Sequence, residues 1–308
     1  MHNIIDETRF TARELLTKGW SADPKYIVSF ASGEKRLLRL SPTGQLAFRE
    51  LEFQRMKQLY ALGIPMSEPL ELGYCEGGRR IGILLSWIEG DDLEFALPAL
   101  SLRQQYDLGV ESGRILKKIH SLPAPPDQED WTVRFNRKVD RNIALYQDCG
   151  IQVEGVQHLL DYIRVSRELL NDRPQCVQHG DYHVGNMILT KDRQLFIIDF
   201  NRHDAGDPWE EFNRIVWSAQ VSPAFATGQL HGYFDGEPPS QFFALLAFYI
   251  ASNSLSSIPW AISFGPKEVE GMIHQVQKVL TWFDNMKNPI PNWYLDAAKK
   301  IGSTGEIL

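Results

Sequence analysis

Two short stretches of this 308-residue chain hold side chains able to do chemistry together. The first is Val177-Gln178-His179-Gly180-Asp181-Tyr182-His183-Val184-Gly185-Asn186-Met187-Ile188-Leu189, and the second is Leu195-Phe196-Ile197-Ile198-Asp199-Phe200. An apolar run closes the first and opens the second, and Lys191-Asp192-Arg193-Gln194 makes a polar turn between them. That pattern predicts a β-hairpin of two short buried strands. A hairpin puts Asn186 at the start of one strand and Asp199 at the end of its neighbour, at the same end, with Asp181 in the loop just before. Two carboxylates and a carboxamide then converge. These are hard oxygen donors suited to Mg²⁺, which usually completes its shell with substrate phosphates.

The elements that must position these groups can be read around them. Thr8 to Leu16 has the spacing of a short helix. Residues 26–30 and 35–40 read as strands turned by Ser32-Gly33-Glu34. A helix is expected from Gln45 to Leu62, with Phe48, Leu51, Met56, Leu59 and Leu62 as its apolar positions. Strands follow at 70–74 and from Ile81 to Gly90, separated by Gly77-Gly78. Beyond them a helix over Arg103–Leu122 carries Gly109 and Gly113, small enough for close packing on another helix. Further helices are expected near 134–148, 154–170, 240–256 and 266–286. Asp207-Pro208 with Glu210 predicts an N-cap, first helical residue and capping box.

The spacing Asp181-x-x-x-x-Asn186, followed by a strand-borne Asp199-Phe200, matches the layout used for phosphoryl transfer. There one Asp receives the hydroxyl proton, the Asn holds metal, and the second Asp bridges metal to phosphates. In detail, His179-Gly180-Asp181-Tyr182-His183 with Asn186, then Ile198-Asp199-Phe200, resembles the aminoglycoside phosphotransferase and choline kinase branch of the kinase-like superfamily. A two-metal phosphohydrolase would also contain Gly-Asp-x-His. It needs an earlier Asp-x-His and a later Gly-Asn-His, and here Gly185-Asn186 is followed by Met187.

The resemblance implies an α+β, two-lobed, protein-kinase-like fold: a small β-rich N-terminal lobe over residues 1–88, a hinge near 85–90, and a larger, mostly helical lobe over 89–308. It implies Asp181 as catalytic base and Asn186 and Asp199 as Mg²⁺ ligands. It makes the loop Gly19 to Asp23, with Ser21, the cover of the nucleotide phosphates. It aligns Arg39 with the lysine that holds phosphates and Glu52 with that lysine's partner. Arginine keeps the charge and offers a fork to phosphate, but it is bulkier than lysine and not equivalent to it. Leu85 would line the base pocket, and Ser86 and Ile88 would offer backbone groups to the base.

ATP or GTP with Mg²⁺ is therefore expected, together with a small-molecule acceptor of the aminoglycoside kind. Asp204, Asp235 and Glu237 are candidates to meet its amino groups. Phe225, Tyr233, Phe234 and Trp260 could instead line a more apolar pocket, for a macrolide or another small metabolite. A catalytically silent nucleotide-binding protein is the other class left open, with Arg39 as its support.

Composition is that of a packed globular chain, 43% hydrophobic and 11% aromatic. A net charge of −7 and a pI near 5.7 argue against a general nucleic-acid or membrane surface. Cys75, Cys149 and Cys176 are scattered, without metal or disulfide spacing. The N-terminus lacks the pattern of a signal peptide, and the apolar run from Phe242 to Ala251 is too short to span a bilayer. A cytoplasmic enzyme is expected.

Overall fold

The computed structural model describes residues 4–17 and 23–303, so Ser21 and most of the expected phosphate loop lie outside the described residues. In chain order, strands β1 (Phe10–Leu16), β2 (Lys25–Phe30) and β3 (Lys35–Pro42) precede helix α1 (Leu46–Ala61). Strands β4 (Pro69–Cys75), β5 (Arg80–Ser86) and β6 (Asp91–Asp92) follow. Next come helices α2 (Leu93–Ala96), α3 (Leu102–Ile119), α4 (Trp131–Asp148) and α5 (Val156–Ser166). Four short strands succeed them: β7 (Cys176–Gln178), β8 (Met187–Leu189), β9 (Leu195–Ile197) and β10 (Asp204–Gly206). The chain closes with α6 (Ile215–Val221), α7 (Pro223–Phe234), α8 (Ser240–Ile262), α9 (Pro266–Trp282) and α10 (Asn292–Ser303).

These elements form two compact units, one ending at Leu93 but including Asn186–Arg202, the other made of Glu94–Gly185 and the chain from His203 onward. The sequence boundary at residue 88 is contiguous, whereas the hairpin rejoins the first unit by pairing. Ile197 donates its N–H to Pro65 O at 2.8 Å, and β6 pairs with β8.

The first unit is an antiparallel sheet in the order β1-β2-β3-β5-β4. One face buries Val28, Leu38, Leu40 and Leu84 with Ile5 and Cys75. Gly33 takes φ +84° in the β2–β3 turn, a conformation that favours glycine. The helix expected over Thr8–Leu16 is instead the edge strand β1. Its backbone pairs with β2, Phe10 meets Phe30 edge-on, and Arg13 lies 3.8 Å over the Tyr26 ring. Tertiary pairing overrides a weak local preference. In α1 the expected apolar positions Phe48 and Leu51 are exposed, and the buried face is Arg49, Glu52, Phe53, Met56 and Leu59. Two charges take the place of apolar residues because each has a buried partner.

The second unit is built on α3 against α7. A Cβ on Gly109 would lie 2.1 Å from Phe225 O, on Gly113 2.1 Å from Gln229 O, on Gly228 2.2 Å from Tyr106 O and on Gly232 2.0 Å from Val110 O. Four glycines, spaced four apart on each helix, let the two backbones touch. A capping box of Ser101 and Gln104 starts α3. Helix α8 is long and apolar enough to cross a membrane by length and composition, which corrects the estimate from its longest unbroken apolar run. Yet 72% of its most apolar window is buried in the fold. Its apolarity on all sides is that of a core helix surrounded by α4, α5 and α9.

The capping box expected after Asp207 does not form. Asp207 is wholly buried, receives both donors of Arg173 at 2.8 and 3.0 Å and the Tyr249 hydroxyl at 2.6 Å, and accepts from the Trp209 N–H at 2.9 Å. Glu210 turns away to Lys138 at 2.9 Å. Burial makes Asp207 an anchor of the loop rather than a helix cap.

Candidate active site

In the second unit the loop 179–184 is pinned on both sides of Asp181. The residues before it, His179 and Gly180, give their backbone N–H groups to Glu211 at 2.7 and 3.0 Å. Burial pushes the Glu211 carboxyl up. The Nε2 of His120 3.8 Å away, the charge of His179 and the Gly180 N–H outweigh burial and hold it below the usual carboxylate range. The next residue, Tyr182, is 2% exposed. Its hydroxyl donates to Ser112 O at 2.8 Å and accepts from the Ser112 hydroxyl at 3.2 Å, while Gln229 donates to that same hydroxyl at 3.1 Å. The Val184 N–H meets the Ser218 hydroxyl at 3.1 Å. The loop is thus fastened to Glu211, to α3 and to α6, and the Asp181 carboxylate is 18% exposed. Arg214 Nε lies 3.3 Å and His183 Nε2 3.7 Å from Asp181 Oδ1. His183 also receives the Gly185 N–H at 3.1 Å, a structural use of a loop histidine.

In the first unit β8 and β9 pair as Met187↔Ile197, Ile188↔Phe196 and Leu189↔Leu195. The Ile198 N–H reaches Asn186 O at 3.0 Å, so Asn186 and the residues leading into Asp199 share one end of the hairpin. Asp199 takes φ +68°, a left-handed conformation that Asp tolerates better than most residues and that ends the strand sharply. Lys25 Nζ sits 2.9 Å from Asp199 Oδ2. An ammonium thus stands where a cation is expected, and the donor set suits a hard metal. Among the described residues no three of His, Cys, Asp and Glu gather closely enough to hold a metal by themselves. A Mg²⁺ site here would draw on Asn186, Asp199 and a substrate's phosphates, as this ion ordinarily does.

Behind the hairpin lies a buried ionic network. Arg39 (4% exposed) bonds to Glu52 (fully buried), whose other oxygen receives Arg49 at 2.6 Å. Arg49 continues to Asp23 at 2.6 Å, and Asp23 accepts from the Ser41 hydroxyl at 2.6 Å. Arg49, Lys25, Arg214 and Ser112 are residues that the motif did not point to. Arg49 had one visible signal, its i,i+3 spacing to Glu52. Leu85 on β5 and Ile88 just beyond its end are buried. Ser86 spends its N–H on Glu68 O at 3.0 Å and its hydroxyl on the Glu68 N–H at 2.8 Å, which leaves its carbonyl as the group it could offer a base.

The acceptor candidates are not gathered in one place. Asp235 and Glu237 line a cavity of about 330 Å³ with Tyr106, Val110, Arg114 and His231. Tyr106, Val110 and Arg114 share a face of α3 opposite to that of Ser112, which holds Tyr182. Asp235 also pairs with Lys117 at 2.5 Å, and Asp204 with Arg134 at 3.2 Å. Trp260 is 39% exposed and meets the Phe264 ring at a tilt, centroids 4.5 Å apart, near the end of α8. Phe225 is fully buried. Tyr233 packs on Phe212 at 4.9 Å and bonds His120 Nδ1 at 2.9 Å, so these two belong to the core rather than to a pocket wall.

Residues 13–243 match the sequence profile of the phosphotransferase enzyme family. No curated protein matches the chain. Among solved structures, the GDP complex of wild-type aminoglycoside 2'-phosphotransferase-IIIa superposes with a TM-score of 0.64 at 13% identity, over 89% of this chain and 93% of that one. Amicoumacin kinase hAmiN, in complex with AMP-PNP, Ca²⁺ and Ami, gives 0.65 at 11% identity, over 94% and 92%. A thermostable mutant of APH(4)-Ia, in a ternary complex with ADP and hygromycin B, gives 0.62 at 15% identity, over 88% and 94%. At these identities the likeness is one of fold, and the fold is the two-lobed protein-kinase-like one.

Proposed function

Because the chain belongs to the phosphotransferase enzyme family, we propose that it is a Mg²⁺-dependent kinase carrying the γ-phosphoryl group of ATP or GTP to a hydroxyl of a small molecule. The observation that carries the reading is the loop of Asp181, where His179 and Tyr182 are buried and fastened while the Asp181 carboxylate is 18% exposed and lies beside Arg214. In the reaction, Asp181 orients the acceptor hydroxyl and takes its proton on a carboxylate oxygen. The hydroxyl oxygen bonds to the γ-phosphorus as the bond to the β,γ-bridging oxygen breaks. Asn186 and Asp199 would hold Mg²⁺, whose charge would offset that of the phosphates. Arg39 and Glu52 position the phosphates with Ser21, and Leu85, Ser86 and Ile88 take the base.

For the acceptor we propose an aminoglycoside-like cationic sugar. The reading is supported by the His-Gly-Asp-Tyr-His form of the loop and by carboxylates on the helical unit. Asp204 already holds Arg134, so an ammonium group of a substrate would displace that partner, whereas Asp235 and Glu237 line the cavity on the other face of α3. Action in the cytoplasm fits the need for nucleoside triphosphate and the three free thiols. The test is transfer from labelled ATP and GTP, with Mg²⁺, to kanamycin-type and neomycin-type compounds, a neutral sugar and a macrolide. Turnover on a neutral sugar or macrolide and on no aminocyclitol rejects the acceptor and keeps the kinase. Nucleotide binding with no transfer to any acceptor points to the silent protein instead.

A further inference from the structure

Strands β2 and β3 place Lys25 directly opposite Arg39. Directly opposed side chains lie on the same face of a sheet, and two cations there repel unless each has its own counter-charge. Each has one. Arg39 is directed at Glu52, and Lys25 at Asp199. The two pairs differ in what it takes to open them. Arg39 and Glu52 are 4% and 0% exposed, and parting them leaves a buried carboxylate with Arg49 alone. Lys25 and Asp199 are 13% and 24% exposed, and a partly solvated pair exchanges partners at small cost. Lysine also carries its charge on a flexible stem, whereas the arginine fork is fixed by its partner.

We propose that Lys25 is an exchangeable counter-ion and a nucleotide-positioning residue. It neutralises Asp199 while no metal is bound, and it passes to the nucleotide phosphates when metal takes its place at that carboxylate. This rests on the kinase reading and adds to it a second cation beside Arg39. Arg39, locked on Glu52, sets the frame, and Lys25 supplies the mobile charge. Only ion partners change, and no covalent bond is made or broken.

The two halves of the proposal predict effects of opposite sign in one variant. In Lys25→Met, Mn²⁺ binding without nucleotide, followed by electron paramagnetic resonance, should tighten by about fivefold, because a competing cation is gone. Binding of AMP-PNP with Mg²⁺, followed by calorimetry, should weaken by about 10- to 100-fold, the worth of a charged hydrogen bond. Lys25→Arg should stay near the wild type in both, and thermal melts verify that each variant is folded. Unchanged Mn²⁺ and nucleotide affinities in Lys25→Met overturn the proposal, and so does a parallel loss of both, which would mean that Lys25 only shapes the strand. Absence of nucleotide binding in the wild type is a different failure. It rejects the kinase reading itself, and this inference with it.

Discussion

Asp181 is a part-buried carboxylate held in place by its neighbours. His179 below it and Tyr182 above it are buried, and they convert a short loop into a rigid mount. Replacing Asp181 with Asn keeps the shape and removes the proposed proton acceptor. Turnover should fall by roughly 10²- to 10⁴-fold while nucleotide affinity holds, as steady-state kinetics paired with calorimetry will show. Glu211 works at the same scale by accepting the His179 and Gly180 amides. Its carboxyl is held below its usual value of 4.5, so the ion is more stable in the folded protein than in the unfolded chain. The stability it contributes is full above that value and is lost as pH falls through the lower, folded one. Glu211→Gln should therefore melt below the wild type at neutral pH, with the gap closing in acid. A gap that stays constant from pH 7 to pH 3 would refute that role.

At the scale of elements, the contact of α3 with α7 holds Ser112 and Gln229 where they can fasten Tyr182. Backbone carbonyls cannot move aside as a side-chain tip can. A methyl group at Gly113 or Gly232, 2.1 and 2.0 Å from carbonyl oxygens, must push the helices apart. Gly113→Ala and Gly232→Ala should each destabilise by at least about 1–3 kcal/mol in chemical denaturation. They should also slow turnover by loosening the loop. Gly271 of α9 is the control. It is exposed, nothing lies within 4 Å of its missing Cβ, and Gly271→Ala should stabilise by about 0.5–1 kcal/mol through helix propensity alone. Equal effects at all three sites would exclude the packing argument.

For the whole molecule, ligand binding and stability are linked. Mg²⁺ with nucleotide at a hundred times its dissociation constant should stabilise the protein by about 2.7 kcal/mol. Asp199→Ala should lose most of that gain if, as proposed, Asp199 is the carboxylate that holds the metal. A thermal scan that shows the same shift in both proteins would take Asp199 out of metal binding. The net charge of −7 sets a second expectation. If carboxylates recognise a cationic acceptor, its KM should rise as salt screens them, with the KM for nucleotide less affected.

The chain's amino-acid order by itself determined the features that depend on local spacing. Asn186 and Asp199 meet at one end of a hairpin because strand alternation and a four-residue polar turn leave little choice of register. Gly109 and Gly113 announced a close helix contact because only small residues serve there. The family followed from Asp181, Asn186 and Asp199 taken together, since their chemistry needs those residue types at those intervals. Other features rested on partners distant in the chain. Thr8 to Leu16 lacks a decisive local preference, so the free edge of β2 decided its conformation. The burial of Arg49 and Glu52, the anchoring of Asp207 by Arg173 and Tyr249, and the choice of α7 as the partner of α3 all required the folded chain. So did the pairing of Lys25 with Asp199, 174 residues apart. A charge's role is set by the counter-charge that reaches it, and long-range pairing is settled by packing rather than by sequence distance.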